Sequence, residues 1–115
     1  MVEKDLEKRT KKFALAAITL VSALPRSASS DVIARQLLRS ATSIGANYRE
    51  ANRGVSRADF ANKIGNVQKE AAETQYWIEL LIEGRIGHAQ TAAALHKEST
   101  ELLAIFTTIG KRLKE

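Results

Sequence analysis

Four stretches of this 115-residue chain place apolar residues at steps of three and four, and the sequence holds a single proline, Pro25. At about 100° per helical residue such steps put a stripe on one side of a helix. A strand would instead need alternating runs rich in Val, Ile and Thr, which are almost missing. Eighteen alanines add the best helix former. The expected fold is therefore all-α. Hydrophobic residues reach 44% with only 5% aromatic, so the core must be built from small and aliphatic side chains on closely spaced helices. A chain of this length buries roughly two thirds of its unfolded surface as one domain, and residues 1–115 are read as a single unit.

Punctuation divides the stripes into four helices. The first carries Leu6, Thr10, Phe13, Ala17, Leu20, Val21 and Leu24, and Pro25, which cannot continue it, predicts an end at Leu24. Ser29 or Ser30 is the expected cap of the second helix, with Asp31 near its positive end. That helix runs to about Arg53, and Gly54 suits the left-handed position beyond it. Ser56 with Asp59 offers a cap for the third, whose stripe is Phe60, Ile64, Val67, Ala71, Thr74, Ile78 and Leu81 and which stops near Gly84 and Gly87. The fourth begins near His88 and carries Ala92, Leu95, Ser99, Leu102, Leu103, Phe106, Ile109 and Leu113. Short links between long helices predict an up-down-up-down antiparallel four-helix bundle.

The absence of cysteine removes disulfides, thiolate metal sites and a cysteine nucleophile together, and makes the cytosol the expected compartment. The apolar run Phe13 to Leu24 is broken by Thr19 and Ser22 and is too short to span a bilayer, so neither a membrane nor a secretory signal is expected. The net charge of +5 is concentrated early: residues 1–53 hold ten basic and five acidic side chains. A basic first half suits a polyanion.

Catalytic readings fail on spacing. A carboxylate-bridged metal site in a bundle needs Glu-x-x-His pairs, and neither His88 nor His96 follows a glutamate by three. Glu70 and Glu73 are neighbouring carboxylates, an arrangement that on helices usually serves ion pairs. Gly84-Arg85-Ile86-Gly87 has neither the spacing nor the preceding strand of a phosphate loop. No enzyme, metal or cofactor is expected.

The second helix is the informative one. Arg35, Arg39, Arg49 and Arg53 fall within an arc of about 80°, opposite Ile33, Leu37, Ala41, Ile44, Tyr48 and Ala51. Beside them Lys8, Arg9, Lys11 and Lys12 extend the positive surface from the first helix. Four guanidinium groups on about three turns suit phosphate contacts directed at a nucleic-acid backbone. The plainer alternative is a solvated face whose charges pair with nearby acids. A polar seam, Ser40, Ser43, Asn47 and Glu50, borders the apolar stripe and can face Glu70, Glu73 and Trp77 of the third helix. Its ordinary role is to fix helix register, and its sharper role is a ligand pocket. Leu15, Ile18, Trp77, Leu80 and Ile105 lie off the core stripes and suggest self-association.

The runs Gln36 to Ala51 and Lys69 to Leu81, with Ser43-Ile44-x-x-Asn47-x-x-Glu50 and Glu70-x-x-Glu73-x-x-x-Trp77-x-x-Leu80 as their most specific pieces, resemble the four-helix-bundle family encoded in intervening sequences of bacterial 23S rRNA genes. The resemblance covers nearly the whole chain. It implies a small non-enzymatic bundle whose relatives form ring-like homopentamers and lack an assigned role. It also points toward the accessory protein of diversity-generating retroelements, a related bundle that partners a reverse transcriptase and binds nucleic acid. The chain departs from many relatives in Gly45, where proline is frequent, and in a fourth helix that starts without an acidic cluster. The expected function is an oligomeric RNA- or DNA-binding module, and the alternative is a protein-interaction scaffold that binds no nucleic acid.

Overall fold

The computed structural model describes residues 2–115, with side chains from Leu6 onward. It contains four helices, α1 (Val2–Ser22), α2 (Ala28–Asn52), α3 (Arg57–Glu83) and α4 (Ala89–Leu113), and no strand among the described residues. They form a four-helix bundle 44 Å long and about 20 Å across.

Helix boundaries follow local chemistry, with three departures from the sequence reading. First, α1 ends at Ser22, not Leu24, because the residue before a proline is pushed out of the α region and the preceding turn loosens with it. Second, the α2 cap is Ser27, whose Oγ accepts from the Ser30 amide at 3.1 Å, so Ser29 and Ser30 lie inside or beside the first turn. Third, Gly54 has no positive φ. The left-handed positions are Arg85 (φ 56°) and Gly87 (φ 79°). After α3 the Ile86 amide donates to Leu81 and the Arg85 amide to Ile82, a paired closure that places the left-handed residue one beyond Gly84. An arginine thus carries a conformation that glycine adopts without steric cost. Ser56 caps α3 by accepting from the Asp59 amide at 3.0 Å, as its spacing predicts. His88 caps α4 through Nδ1 and the Thr91 amide.

The stripes meet in one core. Leu37, Ala41, Ile44, Tyr48 and Ala51 of α2 are buried, as are Ile64, Val67, Ala71, Ile78 and Leu81 of α3. Leu6, Phe13, Ala17 and Leu20 close it from α1, and Leu95, Leu102 and Phe106 from α4. Tyr48 and Phe106 meet edge to face with ring centroids 5.1 Å apart, an arrangement favoured by the ring quadrupoles. Val21, Leu24, Phe60, Ile109 and Leu113, toward the ends of their stripes, are only partly buried, as is Leu103 beside the buried Leu102. Among the described residues no buried side-chain nitrogen or oxygen lacks a partner. Thr10 donates to the Leu6 carbonyl at 2.7 Å, and Thr74 Oγ1 stands 2.9 Å from Ser40 Oγ across the α2–α3 contact. The seams differ in tightness: α2 and α3 pack most closely, and α1 and α4 most sparsely.

Candidate nucleic-acid interface

The four arginines of α2 do not act as one face. Arg39 turns toward α3, where its guanidinium holds Glu70 at 3.2 Å and also Glu73. Trp77 Nε1 donates to the same Glu73 carboxylate at 3.1 Å. The Arg39 hydrogen bond, aided by Trp77, holds the Glu73 carboxyl below the usual carboxylate range, and Glu73 in turn raises the Arg39 pKa. Arg39 is therefore a link between helices. Glu70, whose side chain is only 15% exposed, sits beneath that link.

Arg49 and Arg53 turn the other way, toward α1. With Lys11 they line a cleft of about 420 Å³ between α1 and α2. Its walls are short: Ala14 on α1, and Thr42, Gly45 and Ala46 on α2. At Gly45 an added Cβ would stand 3.1 Å from Thr10 Oγ1, so the missing side chain is what lets α1 come this close. The acids here already have partners. Glu7 accepts from Asn52 Nδ2 at 2.8 Å and lies 3.8 Å from Arg49 Nε, and Glu50 pairs with Lys63 at 2.8 Å. Arg53 donates to the Arg49 backbone carbonyl at 3.1 Å, which holds the Arg53 guanidinium against the end of α2. No ion pair engages Lys11 or Arg53 among the described residues. Arg35 lines a smaller cavity of about 220 Å³ on the same α1–α2 seam, with Leu24 and Ala34. There Arg26 holds Asp31 at 2.8 Å, and that hydrogen bond keeps the Asp31 carboxyl below its ordinary pKa.

The remaining cations separate as well. Arg9 is engaged by Glu98 at 2.6 and 2.8 Å and by Glu101 at 2.7 Å, and this bridge to α4 raises its pKa further above the usual arginine value. Lys8 and Lys12 line the α1–α4 side and do not reach the cleft that Lys11 enters.

Ser43 and Asn47 do not join α2 to α3. Ser43 donates to the Arg39 carbonyl and Asn47 to the Ser43 carbonyl, both within α2. The contacts across the seam are Ser40 with Thr74, Arg39 with Glu70 and Glu73, and Glu50 with Lys63, so Ser40, Glu50, Glu70 and Glu73 do meet the neighbouring helix as their seam placement predicts, while Arg39 comes from the arginine face and Thr74 from the apolar stripe. His96 pairs with Glu79 at 2.9 Å between α3 and α4. Among the described residues no three potential metal ligands cluster, and no helix is long and apolar enough to cross a membrane.

Residues 3–108 match the family described as 23S rRNA-intervening sequence protein. This chain belongs to that family. A similar solved structure is the crystal structure, at 1.70 Å, of a protein with unknown function from the S23 ribosomal protein family of Bacteroides thetaiotaomicron VPI-5482. It is 38% identical with a TM-score of 0.87, and the match covers 96% of this chain and 99% of that one. No curated protein matches. Neither the family description nor that relative indicates an enzymatic activity.

Proposed function

We propose that this chain is a non-enzymatic, cytoplasmic RNA-binding protein, an up-down-up-down bundle that self-associates and contacts the sugar–phosphate backbone of structured RNA through its α1–α2 seam. The observation that carries the reading is the convergence of Lys11, Arg49 and Arg53 on one cleft whose walls are alanine, threonine and glycine and whose two carboxylates, Glu7 and Glu50, are engaged by Asn52 and Arg49 and by Lys63. Short walls let a phosphate approach the cations, and the cleft presents no aromatic platform for stacking a base, so contact is directed at the backbone. Arg35 extends the positive line about 21 Å along α2, at 1.5 Å per residue. Order within the bundle is supported by Glu7 meeting Asn52 and by Arg57 donating to the Leu113 carbonyl, each joining the start of one helix to the end of another. Self-association is supported by Leu15 and Ile18, 55% and 43% exposed on the outer side of α1.

The test is binding of a structured RNA to the full chain by fluorescence anisotropy across a salt series. Three phosphate contacts weaken affinity roughly 20- to 40-fold between about 50 and about 200 mM salt. Arg49→Glu with Arg53→Glu is expected to abolish binding, and Arg39→Gln to leave most of it. Equal binding by the double variant rejects the cleft. The second reading, a protein-interaction scaffold, is favoured by the internal engagement of Arg9 and Arg39. It becomes the better one if no nucleic acid survives purification without nuclease at moderate salt.

A further inference from the structure

The α1–α4 seam holds an opening that the RNA reading does not use. It is a groove of about 660 Å³, larger than the α1–α2 cleft, with Phe13 and Ala16 on one wall and Ala94 and Leu95 on the other. Its origin is visible in the sequence. Phe13 and Leu95 point inward and are buried, while the next groove positions, Ala16 and Ala94, offer single methyl groups that leave the space between the helices unfilled.

We propose that this groove binds one medium-chain aliphatic carboxylate, with its chain along Phe13, Ala16, Ala94 and Leu95 and its head beside Lys8 and Lys12. Lys8 and Lys12 stand one helical turn apart on the rim, both exposed, and neither has an ion-pair partner among the described residues. Arg9, between them in sequence, also lines the groove and neutralises its one carboxylate, Glu98, while binding Glu101 as well, so the groups left for an incoming anion are the two ammonium groups. Ammonium groups are strongly hydrated point charges, suited to a carboxylate held at a wet edge.

Size and charge select the occupant. The volume lies within the roughly 300–1,000 Å³ typical of small-molecule sites, which are mostly apolar with a few polar anchors. From Lys8 to Ala16 the groove spans about 12 Å of helix, at 1.5 Å per residue. Two turns of a docked helix fall short of the roughly 1,000 Å² that a stable protein interface needs, whereas a single acyl chain fills such a length. A second copy of a chain with net charge +5 brings further positive charge to a rim that is already basic. The apolar floor of Phe13, Ala16, Ala94 and Leu95 offers no hydrogen-bonding side chain to a ribose.

Titration of the isotopically labelled full chain with dodecanoate, below its micelle concentration and followed by NMR, tests the proposal. Saturable one-to-one shifts centred on Phe13, Ala16, Ala94 and Leu95 support it. Lys8→Glu with Lys12→Glu is expected to weaken binding at least tenfold, and dodecyltrimethylammonium, with the same chain and a cationic head, to show no saturable binding. Ala94→Trp, checked for retained helicity by circular dichroism, fills the groove and abolishes binding, and the lysine pair tests the same site without touching its walls. Equal binding of the cationic amphiphile overturns the proposal. So do shifts confined to Leu15 and Ile18, or association only with anionic vesicles.

Discussion

The α2–α3 and α1–α4 seams are built from the same kinds of residue yet are closed in different ways. Across α2–α3, Ser40 meets Thr74 in the buried layer and Arg39 clamps Glu70 and Glu73 above it, with Ala71 packed flush between the helices. Across α1–α4 the polar bridge is Arg9 with Glu98 and Glu101 at the surface, and the alanines below it touch little. An ion pair by itself therefore does not close a seam. Closure needs complementary volume beneath it, and charge then selects which close packing is kept.

That contrast is broken most severely by Leu37→Ala. Leu37 is fully buried in α2, and its truncation is expected to cost about 2–5 kcal/mol in chemical denaturation. Next come paired insertions. Ala71→Leu overpacks the tight seam and costs about 1–3 kcal/mol, whereas Ala94→Leu grows into open groove and changes stability by about 0.5 kcal/mol or less; equal costs would erase the distinction. Arg39→Met, at a half-exposed site, costs about 1 kcal/mol at neutral pH. Its pH dependence sharpens the comparison. Glu73 has a lowered pKa in the folded protein, so its contribution is present above the ordinary carboxylate pKa and is lost as pH falls through the folded value. The difference between wild type and Arg39→Met should accordingly shrink on acidification, measured by urea midpoints at several pH values. One further effect lies outside both seams: Arg85→Gly relieves a left-handed arginine and raises stability by about 0.5–1 kcal/mol, read as a higher thermal midpoint.

The stripes were legible because burial in a helix bundle repeats with the helix itself. Leu37, Ala41, Ile44, Tyr48 and Ala51 are named correctly by spacing alone, and so is Ser56 as a cap. The direction of the arginines was not legible. An arc of 80° on one helix spans two seams, and whether a guanidinium meets Glu73 or Lys11 depends on which neighbour lies on each side. Gly54 drew the left-handed assignment by composition, and Gly84 with Gly87 marked only where the third helix stops. The hydrogen bonds running back to Leu81 and Ile82 count the position differently and reach Arg85. Ser43 and Asn47 looked like a seam because polar side chains at three- and four-residue steps also satisfy their own helix's carbonyls, a local option that periodicity does not distinguish from a tertiary one.

The loose fit of α1 against α4 sets an order of undoing. α1 is anchored well along α2 only, and beyond Ser22 the chain leaves through a proline turn that transmits no helical hydrogen bonds. When the molecule breathes, its leading helix peels away while the other three stay joined, and amide protons along Thr10 to Leu20 exchange with solvent ahead of those around Ile44 and Ile78.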